Sequence, residues 1–222
     1  MTKLREGLPP LPERMMNLPL DPRGYPIPWF VGELRDGTRD FRIADQRKRA
    51  LGHKNRLCWL CGGKLGSYMA FVIGPMCVVN RNTSEPGSHL ECARFAATAC
   101  PHLTRPEAKS RTDQLLAKEP QARNLVAALP GNPGACAIYV TKTSKAYRVP
   151  ESNDWLIALG EPESIEWYCR GRIATREEIE GVLEQRLPLL REIAMEQGPQ
   201  ALDHLALMVA RAKKWLPEGS HP

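Results

Sequence analysis

Apolar and polar positions occur in short runs along the second half of this 222-residue chain. The stretches ACAIYVT, WLIAL and SIEWY are rich in β-branched, aromatic and other apolar residues, and polar or turn-forming residues separate them. This pattern predicts three strands, at 135–141, 155–159 and 164–168.

Two helices are predicted after these strands. Thr175 and Glu178 have the T-x-x-E spacing of a capping box, which marks the start of the first helix. Pro188 falls inside that helix and is expected to kink or interrupt it. A last helix is predicted at about 200–215, because its apolar residues recur at helical spacing. That stripe consists of Leu202, Leu205, Val209, Ala212 and Leu216.

The pattern in the first half predicts a helix followed by a hairpin. Residues 42–56 are rich in Ala, Arg, Lys and Leu, a composition typical of a short helix. In SYMAFVIGPMCVVN, apolar and β-branched residues lie on both sides of Gly74-Pro75. Two such arms around a turn signal predict a β-hairpin.

A further helix start is indicated just after a polar loop. Ser88 and Glu91 have the S-x-x-E spacing of another capping box. Ser88 would then be the N-cap and His89 the first helical residue. The helix is expected to run to about Cys100 and to stop at Pro101, because proline cannot continue it.

The overall composition is that of an ordinary globular protein, with 25% charged and 42% apolar residues. The longest apolar runs are far shorter than the ~20 residues that a membrane-spanning helix needs. The first residues lack the apolar core of a signal peptide. The sequence therefore predicts a cytoplasmic protein without a membrane partner.

Cysteine usage adds chemistry to this picture. Five of the seven cysteines fall within residues 58–100, and such clustering in a reducing compartment indicates metal binding or catalysis. Cys58 and Cys61 are spaced C-x2-C, while His89 and Cys92 are three apart at a predicted helix start and so share a face. Thiolates and imidazole are the ligands that zinc prefers in structural sites. These four residues are therefore the predicted ligands of one structural Zn²⁺.

Other ligands and a metal-free alternative stay open. Cys77, on the predicted hairpin, would substitute for His89 if the imidazole pointed away from the site. Cys100 and His102 are further candidates. The alternative without metal is a set of buried thiols.

The C-x2-C turn that begins at Cys58, called the knuckle below, is followed by the predicted hairpin, a loop and a helix start. This order of elements resembles a treble-clef zinc finger. Some treble-clef proteins are HNH nucleases, which need a general-base histidine on the hairpin. The sequence has no histidine between Cys61 and His89, so nuclease activity is disfavoured and no catalytic residue is predicted.

These elements predict an α+β fold in two parts. The first part is a treble-clef-like zinc domain at 1–102, whose first 30 residues carry seven prolines and form an irregular arm. A proline-punctuated linker is expected at 103–134, with one helix near 121–128. An α+β domain of strands and then helices is expected at 135–222.

Positive charge is concentrated beside the cysteine pair. Residues 1–110 hold 17 Lys and Arg against 10 Asp and Glu, whereas residues 111–222 hold 14 against 15. The segment 42–64, called the basic strip below, has seven basic residues and one acid. The strip is either a solvated helix face or a surface for phosphates of DNA or RNA. The predicted nucleic-acid contacts are Arg47, Lys48, Arg49, Lys54, Arg56 and Lys64.

The predicted function is therefore that of a non-enzymatic, zinc-stabilised protein that binds nucleic acid through the basic strip. The alternative is an adaptor or inhibitor that binds a host protein through the proline-rich arm. Salt dependence separates the two, because electrostatic binding to phosphates weakens steeply as salt rises.

Four stretches also resemble a group of bacterial and phage proteins with no assigned activity. The stretches are CWLCGGKLG, FVIGPMCVVNR, SEPGSHLECA and WYCRGRIATREE. The resemblance covers most of the chain. It implies a phage or mobile-element setting and carries no activity over to this chain.

Overall fold

The computed structural model describes residues 3–34, 37–105, 134–149 and 155–218. The strands are β1 (Val31–Glu33), β2 (Arg39–Ala44), β3 (Met69–Ile73), β4 (Asn82–Thr83), β5 (Ala135–Thr141), β6 (Ser144–Arg148), β7 (Trp155–Leu159), β8 (Ser164–Cys169) and β9 (Arg172–Ile173). The helices are α1 (Gln46–Asn55), α2 (Pro75–Asn80), α3 (Leu90–Ala99), α4 (Pro101–Thr104), α5 (Arg176–Gln197) and α6 (Pro199–Lys213). Helices and strands mix along the chain, so the fold is α+β as predicted.

Within the described residues the strands form three antiparallel sheets. The first is the β1–β2 pair, the second has the order β3–β5–β8–β9, and the third has the order β4–β7–β6. In the second sheet Met69 lies opposite Thr141, and Ala135 lies opposite Cys169. The second and third sheets each contain strands from both halves of the chain.

The four-stranded sheet is the centre of the core, because helices cover both of its faces. One face carries Ala70, Ile138 and Val140 and packs against the small residues Ala93 and Ala97 of α3. The other face packs against α2 and α5, and α6 packs against these two helices in the larger apolar cluster. All seven residues of β5 are buried, which explains its continuous apolar sequence.

The predicted β-hairpin after the cysteine pair is wrong. Residues 69–73 form β3, but Pro75 begins helix α2 instead of a second strand. Proline suits this place because the first residue of a helix needs no N–H donor and has the φ angle that proline fixes. A short apolar run such as MCVVN does not by itself distinguish a strand from a helix turn.

The predicted capping box at the start of α3 is also wrong. His89 is the N-cap, its side chain makes no capping hydrogen bond, and the helix starts one residue later than expected. Ser88 is extended and exchanges two backbone hydrogen bonds with Ala70, at 2.7 and 2.9 Å. The Glu91 carboxylate accepts a hydrogen bond from Arg14 Nε at 2.8 Å and does not reach back to the helix start.

The expected helix at 42–56 is partly right. Residues 39–44 form β2, and α1 covers the rest after an N-cap at Asp45, whose carboxylate accepts hydrogen bonds from the amides of Arg47 and Lys48. The two-stranded sheet of β1 and β2 was not predicted.

Predictions for the second half are mostly confirmed. The three expected strands correspond to β5, β7 and β8, and Thr175 and Glu178 form the complete capping box of α5. Pro188 does not interrupt α5, which continues to Gln197. Among the described residues, no helix is both long enough and apolar enough to cross a bilayer.

The predicted division into 1–102, 103–134 and 135–222 stays a prediction. Residues 106–133, including the helix expected near 121–128, lie outside the described residues. The two sides of that segment are joined in space, since β3 pairs with β5 and β4 pairs with β7.

Candidate metal centre

The four predicted ligand residues lie together. The sulfur atoms of Cys58, Cys61 and Cys92 and a ring nitrogen of His89 are all within 4.8 Å of one another. The first two come from the knuckle between α1 and β3, and the other two from the start of α3. This Cys3His cluster could hold a metal ion.

The knuckle is a tight turn that glycine makes feasible. The Cys58 amide donates to the Gly63 carbonyl at 2.7 Å, and the Gly62 amide donates to the Cys58 carbonyl at 2.8 Å. Gly62 has φ +78°, and a Cβ there would lie 2.8 Å from the Trp29 ring. Any other residue at position 62 would therefore strain the backbone and collide with Trp29.

Backbone amides point at two of the sulfur atoms. Cys58 Sγ accepts hydrogen bonds from the amides of Cys61 and His89, each at 3.4 Å. Cys61 Sγ accepts one from the Gly63 amide, also at 3.4 Å. Such donors favour the thiolate form, which is the form that binds a metal.

Because the three thiols lie so close together, the pKa of one is lowered and the pKa values of the other two are raised. Hydrogen bonds from the Cys61 and Cys92 thiols, together with those two amides, lower the pKa of Cys58. The same contacts with Cys58 raise the pKa of Cys92, and Cys58 is also the main cause that raises the pKa of Cys61. One thiolate is thus favoured by the protein alone, and a cation among the sulfurs would stabilise the other two in that form.

The imidazole of His89 points into the cluster through one defined nitrogen. Nδ1 lies 3.4 Å from Cys61 Sγ, and Nε2 lies 3.0 Å from the Lys64 carbonyl oxygen. A carbonyl only accepts, so Nε2 carries the proton and Nδ1 presents its lone pair to the cluster. Sequence reasoning missed the role of Lys64 because no side-chain pattern marks a main-chain acceptor.

The alternative ligands are not part of this group. Since His89 points inward, no substitution by Cys77 is needed. Burial raises the pKa of the Cys77 thiol to about 11, so it stays protonated at neutral pH. Cys100 and His102 lie beyond the cluster that the described residues form. The treble-clef resemblance is not confirmed, because a strand, a short helix and a two-residue strand separate the ligand pairs.

The basic strip does not form one continuous surface. Arg47 and Lys54 are exposed on one side of α1, whereas Arg49 and Arg56 lie on another side. Lys48 Nζ donates to the Val31 carbonyl at 3.2 Å, close to the Trp29 ring.

The other strip cations also make backbone contacts. Arg49 donates to the Trp155 carbonyl at 2.6 Å, and Arg56 donates to the Gly66 carbonyl at 2.7 Å. Lys64 Nζ donates to the Asn55 carbonyl at 2.6 Å, at the carboxyl end of α1. These bonds position the cations, and Arg49 also interacts electrostatically with the Glu85 carboxyl.

Comparison with known proteins adds no assignment to this geometry. No family model matches the chain, and neither a curated protein nor a solved structure matches it. The cluster and its surroundings are therefore the basis for assigning a function.

Proposed function

We propose that this chain is a zinc-stabilised, non-enzymatic binding protein. The single observation that supports zinc is the set of three sulfurs and one imidazole nitrogen within 4.8 Å. Zinc is typically bound by four sulfur or nitrogen ligands in a tetrahedron, whereas calcium and magnesium prefer oxygen. Cys58, Cys61, Cys92 and His89 Nδ1 would fill all four positions.

A full set of protein ligands supports a structural role for the ion. Catalytic zinc sites keep one position for water or substrate, and this cluster would leave none. The ion would join the knuckle to the start of α3, two segments that β3, α2 and β4 separate along the chain. Zinc would therefore stabilise the fold and take no part in a reaction.

The proposed partner is nucleic acid, bound by its phosphates. Arg47, Lys54 and Lys64 are exposed, and the contacts of Arg49 and Arg56 fix their guanidinium groups near the same helix. Because α1 ends shortly before Cys58, the ion would hold this cationic helix in place. Contacts of this kind bind the backbone and do not read the bases.

A salt titration against DNA and RNA tests this proposal. The double variant Arg47→Glu/Lys54→Glu should weaken binding and reduce the slope of log K against log salt by about one for each phosphate that is no longer bound. The matched control is Lys213→Glu/Lys214→Glu at the end of α6, which makes the same charge change elsewhere. Zinc content checks that each variant is folded. Equal binding by parent and strip variant, or no binding by the parent at low salt, would contradict the proposal.

A protein adaptor is the second candidate, and a groove favours it. An open groove of about 970 Å³ lies between the proline-rich arm and α3. Its lining includes Pro9, Pro12, Arg14, Glu91 and Phe95. A chain that binds neither DNA nor RNA but captures a host protein at high salt would support the adaptor. The phage or mobile-element setting belongs with the nucleic-acid proposal, and in that setting the partner of the adaptor would be a host protein.

A further inference from the structure

A cavity of about 210 Å³ lies beside α1, between β3 and the first residue of β6. Its walls come from four separate parts of the chain. They are Gly52, His53 and Arg56 of α1 and its C-cap, Leu65, Met69 and Phe71 up to β3, Pro86 and Gly87 before α3, and Ser144 of β6.

The size and floor of the cavity suit one planar ring. Leu65, Met69, Phe71 and Pro86 make the floor apolar. An engineered apolar cavity of about 150 Å³ binds benzene, so about 210 Å³ admits a ring with exocyclic groups. A pyrimidine base has that shape.

The rim of the cavity is cationic on the helix side. Arg56 lines it, and Arg49 lies on the same face of α1, one turn before His53. His53 also lines the cavity, but burial lowers the pKa of its imidazole and so favours the neutral ring, which is not one of these cations. The acceptors of Arg56 are the carbonyls of Gly66 and Ser67, which hold its guanidinium at the rim. A ligand that places a ring in the cavity would thus have its anionic part beside these cations.

Two exposed aromatic residues are joined to this rim through the backbone. Trp155 is 53% exposed, and its carbonyl accepts a hydrogen bond from Arg49. Tyr68 is also 53% exposed and directly follows Ser67. A cation lies over each ring, with Arg148 6.0 Å from the Trp155 centroid and Lys142 5.0 Å from that of Tyr68. Cations interleaved with exposed rings are typical of surfaces that bind single strands.

The metal cluster fixes three of the cavity walls. Gly87 lies two residues before His89, and its carbonyl accepts a hydrogen bond from the Trp59 amide inside the knuckle at 3.0 Å. Arg56 lies two residues before Cys58, and its carbonyl accepts from the Leu65 amide at 2.8 Å. The shape of the cavity therefore depends on the same turn that carries the ligands.

We propose that this cavity takes one unstacked base of a single-stranded nucleic acid, with neighbouring bases on Tyr68 and Trp155 and phosphates at Arg49 and Arg56. The inference rests on the proposed function and narrows its partner to single strands. A paired base cannot enter the cavity, because its edge and both faces are occupied in the duplex. Binding energy thus comes from a base as well as from charge.

The test compares three labelled probes against the zinc-loaded full chain at fixed low salt. They are a short oligothymidylate, the same backbone with abasic sites, and the oligothymidylate paired with its complement. The oligothymidylate should bind roughly 5- to 150-fold more tightly than the abasic probe, the range expected for one base stack. Ser144→Leu fills the cavity and should reduce that difference by the contribution of the base in the cavity, whereas Ser144→Ala leaves the cavity open and should keep the full difference. An oligouridylate probe extends the comparison to RNA.

Each outcome decides between the two proposals. Equal, salt-sensitive binding of intact and abasic probes overturns the cavity proposal and leaves the phosphate-binding function standing. No binding of any probe overturns both. If Ser144→Leu loses its zinc, uridine monophosphate is titrated into the parent instead while the His53 ring signals are followed by NMR. Shifts that saturate support the cavity, and unchanged signals overturn it.

Discussion

The metal-cluster region and the four-stranded sheet reach a defined structure by different means. In the cluster region, residues 58–66 contain no helix or strand longer than one bridge, and backbone amides point at sulfur atoms. In the sheet, β5 is buried along its whole length and pairs on both sides. With the proposed metal, the first region would gain stability from four ligands that converge on one ion, whereas the second gains it from apolar area removed from water.

This contrast indicates which substitution should affect which region. A structural zinc contributes an apparent free energy of about 10–16 kcal/mol, all of it through a handful of ligands. Apolar burial is spread over many side chains, each contributing about 1.5–3 kcal/mol. A single ligand substitution is therefore expected to have a larger effect than a single core substitution.

Removal of one ligand should have the largest effect. Cys58→Ser is expected to lose the metal and to expose the knuckle, because three ligands cannot close the site. The measurement is elemental analysis together with hydrogen exchange, in which amides of 58–66 lose protection before those of β5. Cys77→Ser, a thiol outside the cluster, is the matched control and should keep one zinc per chain. Full zinc content in Cys58→Ser would show that the cluster is a set of buried thiols.

Truncation of a core side chain should have an intermediate effect, which lowers the free energy of unfolding and leaves the zinc content unchanged. Ile138 on β5 is fully buried, so Ile138→Ala is expected to lower the free energy of unfolding by about 2–5 kcal/mol. Zinc content of the folded protein should not change. Ile138→Val, which removes one methylene, should cost only about 0.5–1.5 kcal/mol. Urea unfolding monitors both variants, and loss of zinc before unfolding would contradict the separation of the two regions.

Loss of the α5 cap should have the smallest effect. Thr175→Ala removes the hydroxyl that accepts from the Glu178 amide and is expected to cost about 1 kcal/mol, whereas Thr175→Ser should keep most of that stability. Thermal unfolding of the three proteins measures the difference. If alanine and serine behave alike, the capping box contributes nothing measurable.

The same cap gives a pH dependence. Arg172 and the Thr175 amide lower the pKa of Glu178 from 4.5 to about 2. Since the folded pKa is the lower one, the stabilisation is present above 4.5 and decreases as the pH falls toward 2. Glu178→Gln should lose this part of the acid sensitivity. Identical acid profiles of parent and variant would contradict the assignment.

The four residues of the Cys3His cluster could be predicted from the sequence because their identity and spacing carry the chemistry of a metal site. C-x2-C before glycines predicts a turn with two sulfurs on one side, and H-x2-C places two more ligands on one helix end. The segment between the two ligand pairs was predicted as a hairpin but forms β3 and then α2. The sequence could not distinguish the two, since Gly74-Pro75 suits a turn and a helix start equally well. The prediction of β5 was correct because both faces of this strand are covered, so its sequence is an uninterrupted run of mostly apolar, strand-forming residues.

The basic strip shows what spacing along the chain leaves out. Its six predicted contact residues are close in sequence, yet the turn of α1 separates Arg47 from Arg49, and Lys64 reaches the other end of the helix. The cavity was not predicted at all. Ser144 reaches it from β6 because Thr141, at the end of β5, lies opposite the lining residue Met69, and the Ser144 hydroxyl lies 3.8 Å from Met69 Sδ.

The pairing of β3 with β5 has a consequence for synthesis on the ribosome. Met69 pairs with Thr141, so β3 leaves the exit tunnel long before its partner exists. All four residues of the Cys3His cluster, by contrast, are available once Cys92 has emerged, and the proposed metal ion would then order residues 58–92, which include β3. During the interval an apolar strand with an open edge invites pairing with other nascent chains. Zinc supply during translation is therefore expected to decide how much of the newly made chain escapes aggregation.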